Sequence, residues 1–284
     1  MEHRAAPGTW QRIGSGFRTN RLAWISLVVL AVIVGLALLA PWIERYPPGK
    51  SDLRAFEMPP SWEHWLGTDS AGRDVWSRLL WGARTSLTVA VASVAISVTI
   101  GTLIGAVSGY YGGIVDSTLM RFTDGVMAFP DIVLVLMLAS ILGPSIRNVI
   151  LVIGFLGWTG MARLVRGQFL ALRERDWVLA ARSIGVSNRR LILRHLIPHV
   201  ITQIVVAATF GAAGAILTEA GLSYLGFGVQ PPASSWGTML AEAQSVHVLQ
   251  SLPWAWLSPG IVLTMVVLSM SYIGETLRKA LAPR

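Results

Sequence analysis

Residues 22–43 read Leu-Ala-Trp-Ile-Ser-Leu-Val-Val-Leu-Ala-Val-Ile-Val-Gly-Leu-Ala-Leu-Leu-Ala-Pro-Trp-Ile, without a charged side chain. A bilayer core about 30 Å thick is crossed by roughly 20 apolar residues in helix, so this run is long enough to span it. It is too long for a signal-peptide core, and no small-residue cleavage site follows it. A retained first span is expected.

The same signature recurs along the chain. Ser86–Gly109 is uncharged. Ser117–Leu142 carries Arg121 and Asp124 near its start and Pro130-Asp131 inside it. Val149–Leu164, Val200–Gly221 (with Glu219) and Trp254–Ile273 follow. The expectation is an all-α integral membrane protein with six transmembrane helices. Composition agrees: 53% of the 284 residues are hydrophobic and only 13% charged, against about 25% charged in a soluble domain. That leaves too little charge to solvate a globule of this size. The absence of Cys removes disulfides, thiolate metal sites and thiol nucleophiles.

Basic residues orient the spans. Arg4, Arg12, Arg18 and Arg21 precede the first. Arg163, Arg166, Arg173, Arg175, Arg182, Arg189, Arg190 and Arg194 lie around the link between the fourth and fifth, and Arg278, Lys279 and Arg284 follow the sixth. Residues 222–253 contain neither Lys nor Arg. Six spans place both termini and the four–five link on one side, the cytoplasm. Segment 44–84 discriminates weakly, because its six basic residues are matched by six acidic ones. The net charge of +8 therefore points to a membrane surface and not to nucleic acid.

The expected organisation is a cytoplasmic tail (1–21), a first span (22–43), an outer loop with an interfacial helix (44–84), a core of spans (85–276) and a short cytoplasmic tail (277–284). In the outer loop, Val75, Trp76, Leu79 and Leu80 share a helical face, Asp74 and Arg78 are spaced as an i,i+4 pair, and Thr68 or Asp69 is placed to cap. Gly101, Gly105 and Gly109 have the spacing that lets two helices approach closely. Asp131 is a functional candidate as an intramembrane carboxylate, and capping of the backbone freed by Pro130 is the favoured reading. Residues 221–254 are rich in Gly, Pro and aromatics, with Glu242 their one charged side chain. Such a loop is expected to fold back into the outer leaflet or plug a cavity.

Residues 174–200 read ERDWVLAARSIGVSNRRLILRHLIPHV. Trp177, Ala180, Ala181 and Ile184 lie on one face of a short helix. Gly185 is suited to a left-handed cap. Ser187 or Asn188 can cap a second short helix, with Arg190 and Arg194 on one side and Leu191, Ile192 and Leu196 on another. Pro198 suits the first turn of the fifth span. The product is a bent pair of helices on the cytoplasmic face, small enough at Ala180, Ala181 and Gly185 for a close partner. His195 and His199 stand i,i+4, but metal binding there is disfavoured beside Pro198 and the arginines.

The spacing Ala180-Ala181, three residues, Gly185, twelve residues, Pro198 resembles the EAA signature of ABC importer permeases. Leu179 stands where that signature has Glu, His195 replaces Ile and Ile197 replaces Leu. Three further stretches resemble one branch: His64-Trp65-Leu66-Gly67-Thr68-Asp69 through Gly72-Arg73-Asp74; Glu219-Ala220-Gly221-Leu222-Ser223-Tyr224-Leu225-Gly226 through Pro231 and Trp236-Gly237; and Gly274 to Arg284. Together they resemble the C-type permease subunit of dipeptide, oligopeptide and nickel ABC importers.

The resemblance implies a type I importer permease fold in a bacterial or archaeal cytoplasmic membrane. It implies no catalytic residues and no cofactor in this chain, with ATP and Mg held by partner ATPases; indeed no P-loop pattern occurs here. The implied partners are a homologous B-type permease, two ABC ATPases, an external substrate-binding protein and membrane lipid. Trp177, Ala180, Ala181, Ile184, Gly185, Val186, Ser187 and Pro198 would couple to an ATPase. Peptide is the leading cargo, with nickel and glutathione open; a stand-alone channel or intramembrane enzyme is the alternative from another class.

Overall fold

The computed structural model describes residues 20–281 together with Gly14 and Phe17. The expected tail residues Arg4, Arg12, Arg18, Pro283 and Arg284 lie outside that range. Twelve α-helices account for most of the described residues: α1 (Arg21–Ile43), α2 (Val75–Tyr111), α3 (Gly113–Met127), α4 (Asp131–Leu142), α5 (Ile146–Leu156), α6 (Trp158–Arg173), α7 (Asp176–Ser183), α8 (Asn188–Arg190), α9 (Ile197–Tyr224), α10 (Trp236–Ala241), α11 (Val246–Ser251) and α12 (Pro253–Leu281). Five segments are long and apolar enough to cross a membrane, and a bent pair, α3 with α4, makes a sixth.

Each boundary has a local cause. Asn20 caps α1, its Oδ1 accepting from Leu22 N at 3.1 Å. The interior of α1 faces the bundle through Ala23, Ser26, Ile33, Ala37 and Ala40, while Leu22, Ile25, Val28, Val32 and Leu38 stay exposed. A helix with small residues inward and large apolar ones outward suits lipid, not water. The third span breaks at residues 128–130, where α3 and α4 meet at 81°. Pro130 supplies no N–H and disfavours helical geometry at Phe129. One expected span is therefore two half-helices.

The helix expected before the second span runs into it without a break: residues 75–84 are the first turns of a continuous 37-residue α2, about 55 Å long at 1.5 Å per residue. Val75, Leu79, Leu80 and Ala83 are buried, because the preceding loop and α10 wrap this end. The cap is Asp74, whose Oδ2 accepts from Ser77 N at 2.8 Å, and not Thr68 or Asp69.

Packing is tightest between α2 and α6. A Cβ at Gly101 would lie 2.6 Å from Trp158 O, and one at Gly109 would lie 2.7 Å from Arg166 O. One at Gly105 would overlap Ala162 O. Any side chain there would force the helices apart, so the glycine spacing does what it suggested. One apolar core lies among α2, α5, α9, α10 and α12. A second joins Ala106, Tyr110, Val165, Phe169, Val178, Leu191, Leu196 and Val200, clamping the four–five link onto the ends of α2 and α6.

Candidate functional site

The bent link is built as the spacing requires. α7 ends with Gly185 at φ +82°. Gly185 N donates to Arg182 O at 3.0 Å and Val186 N to Ala181 O at 3.1 Å, the paired bonds of a Schellman motif. A short π-turn, Leu191–Leu196, follows α8. Its wider turn brings Leu191 and Leu196 into the core together, both fully buried, while Arg190 and Arg194 stay exposed. Pro198 sits in the first turn of α9, where its missing N–H costs nothing. Ser187 holds the cap position of α8 but its side chain makes no capping bond.

Two faces of α7 differ. Val178 is buried and Ala181 packs against the core beside it. Trp177, Ala180, Ile184 and Gly185 are exposed, Ile184 at 81%. The expectation that Ala181 shares their outward face is corrected: it packs inward, one turn from Val178. Three side-chain contacts stiffen the elbow. The Tyr110 hydroxyl donates to Asn188 Oδ1 at 2.6 Å, Arg182 lies over the Tyr110 ring at 4.7 Å, and Trp177 stacks on His199 at 5.0 Å. Tyr110 belongs to the last turn of α2, so one side chain holds both arms of the elbow to a span. Nearby, Arg166 forks onto Asp116 at 2.5 and 2.6 Å, and Arg163 reaches Asp124 at 2.5 Å.

The opposite end carries a buried polar cluster. Asp69 is fully buried; its carboxylate accepts from Ala71 N (2.8 Å), Arg73 N (3.0 Å) and Arg73 Nε (2.7 Å), and it pairs with Arg78. Arg73 and Arg78 both reach Glu242 Oε1, at 2.8 and 2.7 Å. Arg78 also donates to Ser234 Oγ at 3.2 Å. Thr68 donates to Ala55 O at 2.6 Å, and Asp74 pairs with His64 at 2.8 Å. Gly67 and Gly72 provide the positive-φ corners of this loop. The expected Asp74–Arg78 pair does not form. Asp74 is committed to the cap and to His64, which turns Arg78 toward Asp69.

The loop after α9 leads into α10, which packs into the bundle through Trp236, Gly237 and Met239. Trp236 is fully buried, donating from Nε1 to Leu79 O at 3.3 Å. Glu219, also fully buried, accepts from Ser86 Oγ at 3.0 Å and Ser223 Oγ at 2.7 Å. Gly237 lies so near Ala220 that a Cβ would fall 2.6 Å from its Cα. Leu222 packs beneath, whereas Leu225, Gly226 and Pro231 stay exposed at the rim and outside this cluster.

Between these two ends lies a cavity of about 350 Å³ among α2, α4, α5, α6 and α9. Its lining comes from near the middle of the long helices: Ser93 and Ser97 of α2, Gly157 and Gly160 at the α5–α6 joint, Gly211 and Thr218 of α9.

Residues 101–284 match the family model described as binding-protein-dependent transport system inner membrane component. The chain belongs to that family. Residues 8–60 also match the N-terminal transmembrane domain of oligopeptide transport permease C. A Brucella suis biovar 1 protein named as a peptide permease is 45% identical over 99% of this chain and 93% of its own length. The oligopeptide transport system permease protein OppC of Haemophilus influenzae is 39% identical, over 97% and 88%. The dipeptide transport system permease protein DppC of Alkalihalophilus pseudofirmus is 36% identical, over 98% and 91%.

Like its family, the chain is a transport subunit and not an enzyme. Its sequence led to Gly67, Thr68, Asp69, Gly72, Arg73 and Asp74 as one group, and the fold holds them together. It led to Arg78 only as a partner of Asp74, and did not lead to Ser234 or Glu242 as members of the cluster, nor to Tyr110 as the brace of the elbow. The one available signal for Glu242 was its isolation: a single charge in an otherwise uncharged loop needs a buried countercharge.

Proposed function

We propose that this chain is one of two permease subunits of an ATP-driven peptide importer. A homologous B-type permease faces it, and cargo passes between the two. Two ATPases dock on the cytoplasmic side, one receiving the exposed face of α7 at Trp177, Ala180, Ile184 and Gly185. An external binding protein delivers cargo to the face formed by Gly67–Asp74 and the 221–254 loop. Both termini are cytoplasmic, in keeping with the basic residues at the tails and the elbow. The names of the relatives favour peptide over nickel or glutathione.

One observation carries this reading: an exposed apolar elbow tied by Tyr110 to α2 and by its own backbone to α9. Such a joint transmits displacement to two spans instead of absorbing it. Binding and hydrolysis of ATP in the partners then shift the population between inward-open and outward-open states. Gly185→Glu puts a charged side chain at a left-handed position of that face. In proteoliposomes holding the whole importer, uptake is expected to fall to background while ATP hydrolysis persists. Wild-type uptake by that variant removes the docking role. A tagged chain is also expected to co-purify with a second permease and ATPases; recovery alone, in every mild detergent tried, contradicts the assembly.

A further inference from the structure

The cavity among α2, α4, α5, α6 and α9 opens to one side of the bundle and is lined by one charged side chain, Asp131, which is itself exposed. It opens α4 at the broken third span, and its neighbours in the lining come from the middle of α2, the α5–α6 joint and α9. Laid across a bilayer, these segments place Asp131 well inside the membrane and not at a span end. A carboxylate at that depth is costly unless something compensates it.

The other carboxylates of the spans have such compensation. Asp116 binds Arg166, Asp124 binds Arg163, Glu219 accepts from Ser86 and Ser223, and Glu275 meets Arg278 and Lys279. Asp131 has no hydrogen bond or ion pair from another side chain among the described residues. The capping role expected from the sequence is not what the fold gives it: Pro130 occupies the cap position and no side-chain capping bond is present.

The rest of the lining has a matching chemical bias. Ser97 donates its hydroxyl proton to Gly154 O at 2.9 Å, Ser93 to Ile150 O at 3.3 Å and Thr218 to Gly214 O at 3.0 Å. With those protons committed to backbone carbonyls, the oxygens have only lone pairs left to offer. No Lys, Arg or His lines the space. The cavity presents acceptors and one negative charge to whatever enters, and broken backbone at depth is tolerated where it lines such a space.

We propose that Asp131 is the cation-recognition point of the translocation path and meets the protonated amine of the cargo. This rests on the peptide-import reading, which makes that amine the free N-terminal ammonium of a peptide. A charge-assisted N⁺–H···O⁻ bond would replace the water lost on entry. Anionic cargo finds no donor here.

The chain has no Cys, so Asp131→Cys introduces its sole thiol. In the purified importer without binding protein, labelling of this chain by a thiosulfonate reagent reports access to the cavity. Asp131→Cys lacks the carboxylate, so the amine test is made on a neighbouring thiol, Ser97→Cys, with Asp131 present or changed to Asn. Trialanine is expected to slow labelling of the Ser97→Cys variant when Asp131 is present, and N-acetyl-trialanine is not. In the Asp131→Asn background that difference should vanish. For uptake of trialanine, Asp131→Asn is expected to lose at least about tenfold and Asp131→Glu to keep most of the rate.

Failure of Asp131→Cys to label, equal protection by both peptides, or protection unchanged by Asp131→Asn would overturn the assignment. An importer that takes up no peptide, yet shows amine-selective protection, would overturn the peptide reading and leave the cation site standing. Peptide uptake with no such protection would overturn the cation site alone.

Discussion

Tyr110 is a small part of the sequence with a large mechanical position. Its ring is buried among Val165, Phe169 and Leu191, its hydroxyl is bonded to the second arm of the elbow, and its face carries Arg182 from the first. Tyr110→Phe removes one hydrogen bond, worth about 1 kcal/mol, and keeps the ring; uptake by the reconstituted importer is expected to fall modestly. Tyr110→Ala removes both braces, so uptake should collapse while ATP hydrolysis continues. Equal, small effects of the two would mean that the elbow is held elsewhere. At the end of the bundle opposite the elbow, Arg78 is the shared countercharge of Asp69 and Glu242. Arg78→Ala leaves a fully buried Asp69 with Arg73 as its remaining cation. Removing one partner of a buried pair costs about 3–5 kcal/mol, so thermal unfolding of the purified complex should occur at a clearly lower temperature. Arg78→Lys should recover only part of this, since a point charge cannot reproduce the contacts of the guanidinium fork.

Among the elements, α2 is the axis on which the others are assembled. Its first turn is capped by Asp74 and enclosed by the loop; its middle lines the cavity; its glycine face meets α6; its last turn holds the elbow. Gly105→Leu places a branched side chain where Ala162 O and Val165 already lie. The expected outcome is loss of assembled importer from the membrane, seen by size exclusion in detergent, whereas Gly125→Leu, with open space around it, should assemble normally. The elbow is more tolerant. Gly185 has open space where a Cβ would go, but its φ is +82°. Gly185→Ala incurs only the left-handed penalty of about 1 kcal/mol and should retain most uptake, in contrast to the Glu variant. An Ala variant as inactive as the Glu variant would show that backbone shape, and not an incoming partner, is what the position protects.

For the whole molecule, two ends of different chemistry are held apart by a bundle whose outside is apolar. The absence of Cys makes the orientation directly measurable: Arg194→Cys, exposed beside the elbow and outside its docking face, should react with a membrane-impermeant thiol reagent only from the cytoplasmic side, and Val246→Cys only from the outer side. The reverse pattern would invert the entire assembly. Much of this architecture was legible in the residue order. The spans, the left-handed glycine, the helix-starting proline and the close-approach glycines all follow from rules that act within a few turns, because helix geometry and bilayer thickness constrain contiguous residues. The residue order reads as one span running through Pro130, and the 81° break there belongs to the fold. What only the tertiary structure decided depends on residues far apart in the chain. Arg78 abandons the neighbour four positions away for Glu242 and Ser234, because a cap has already claimed Asp74. Asp131 turns from a local cap into an exposed charge on the wall of a cavity, because α2, α6 and α9 line the rest of that wall without supplying a countercharge.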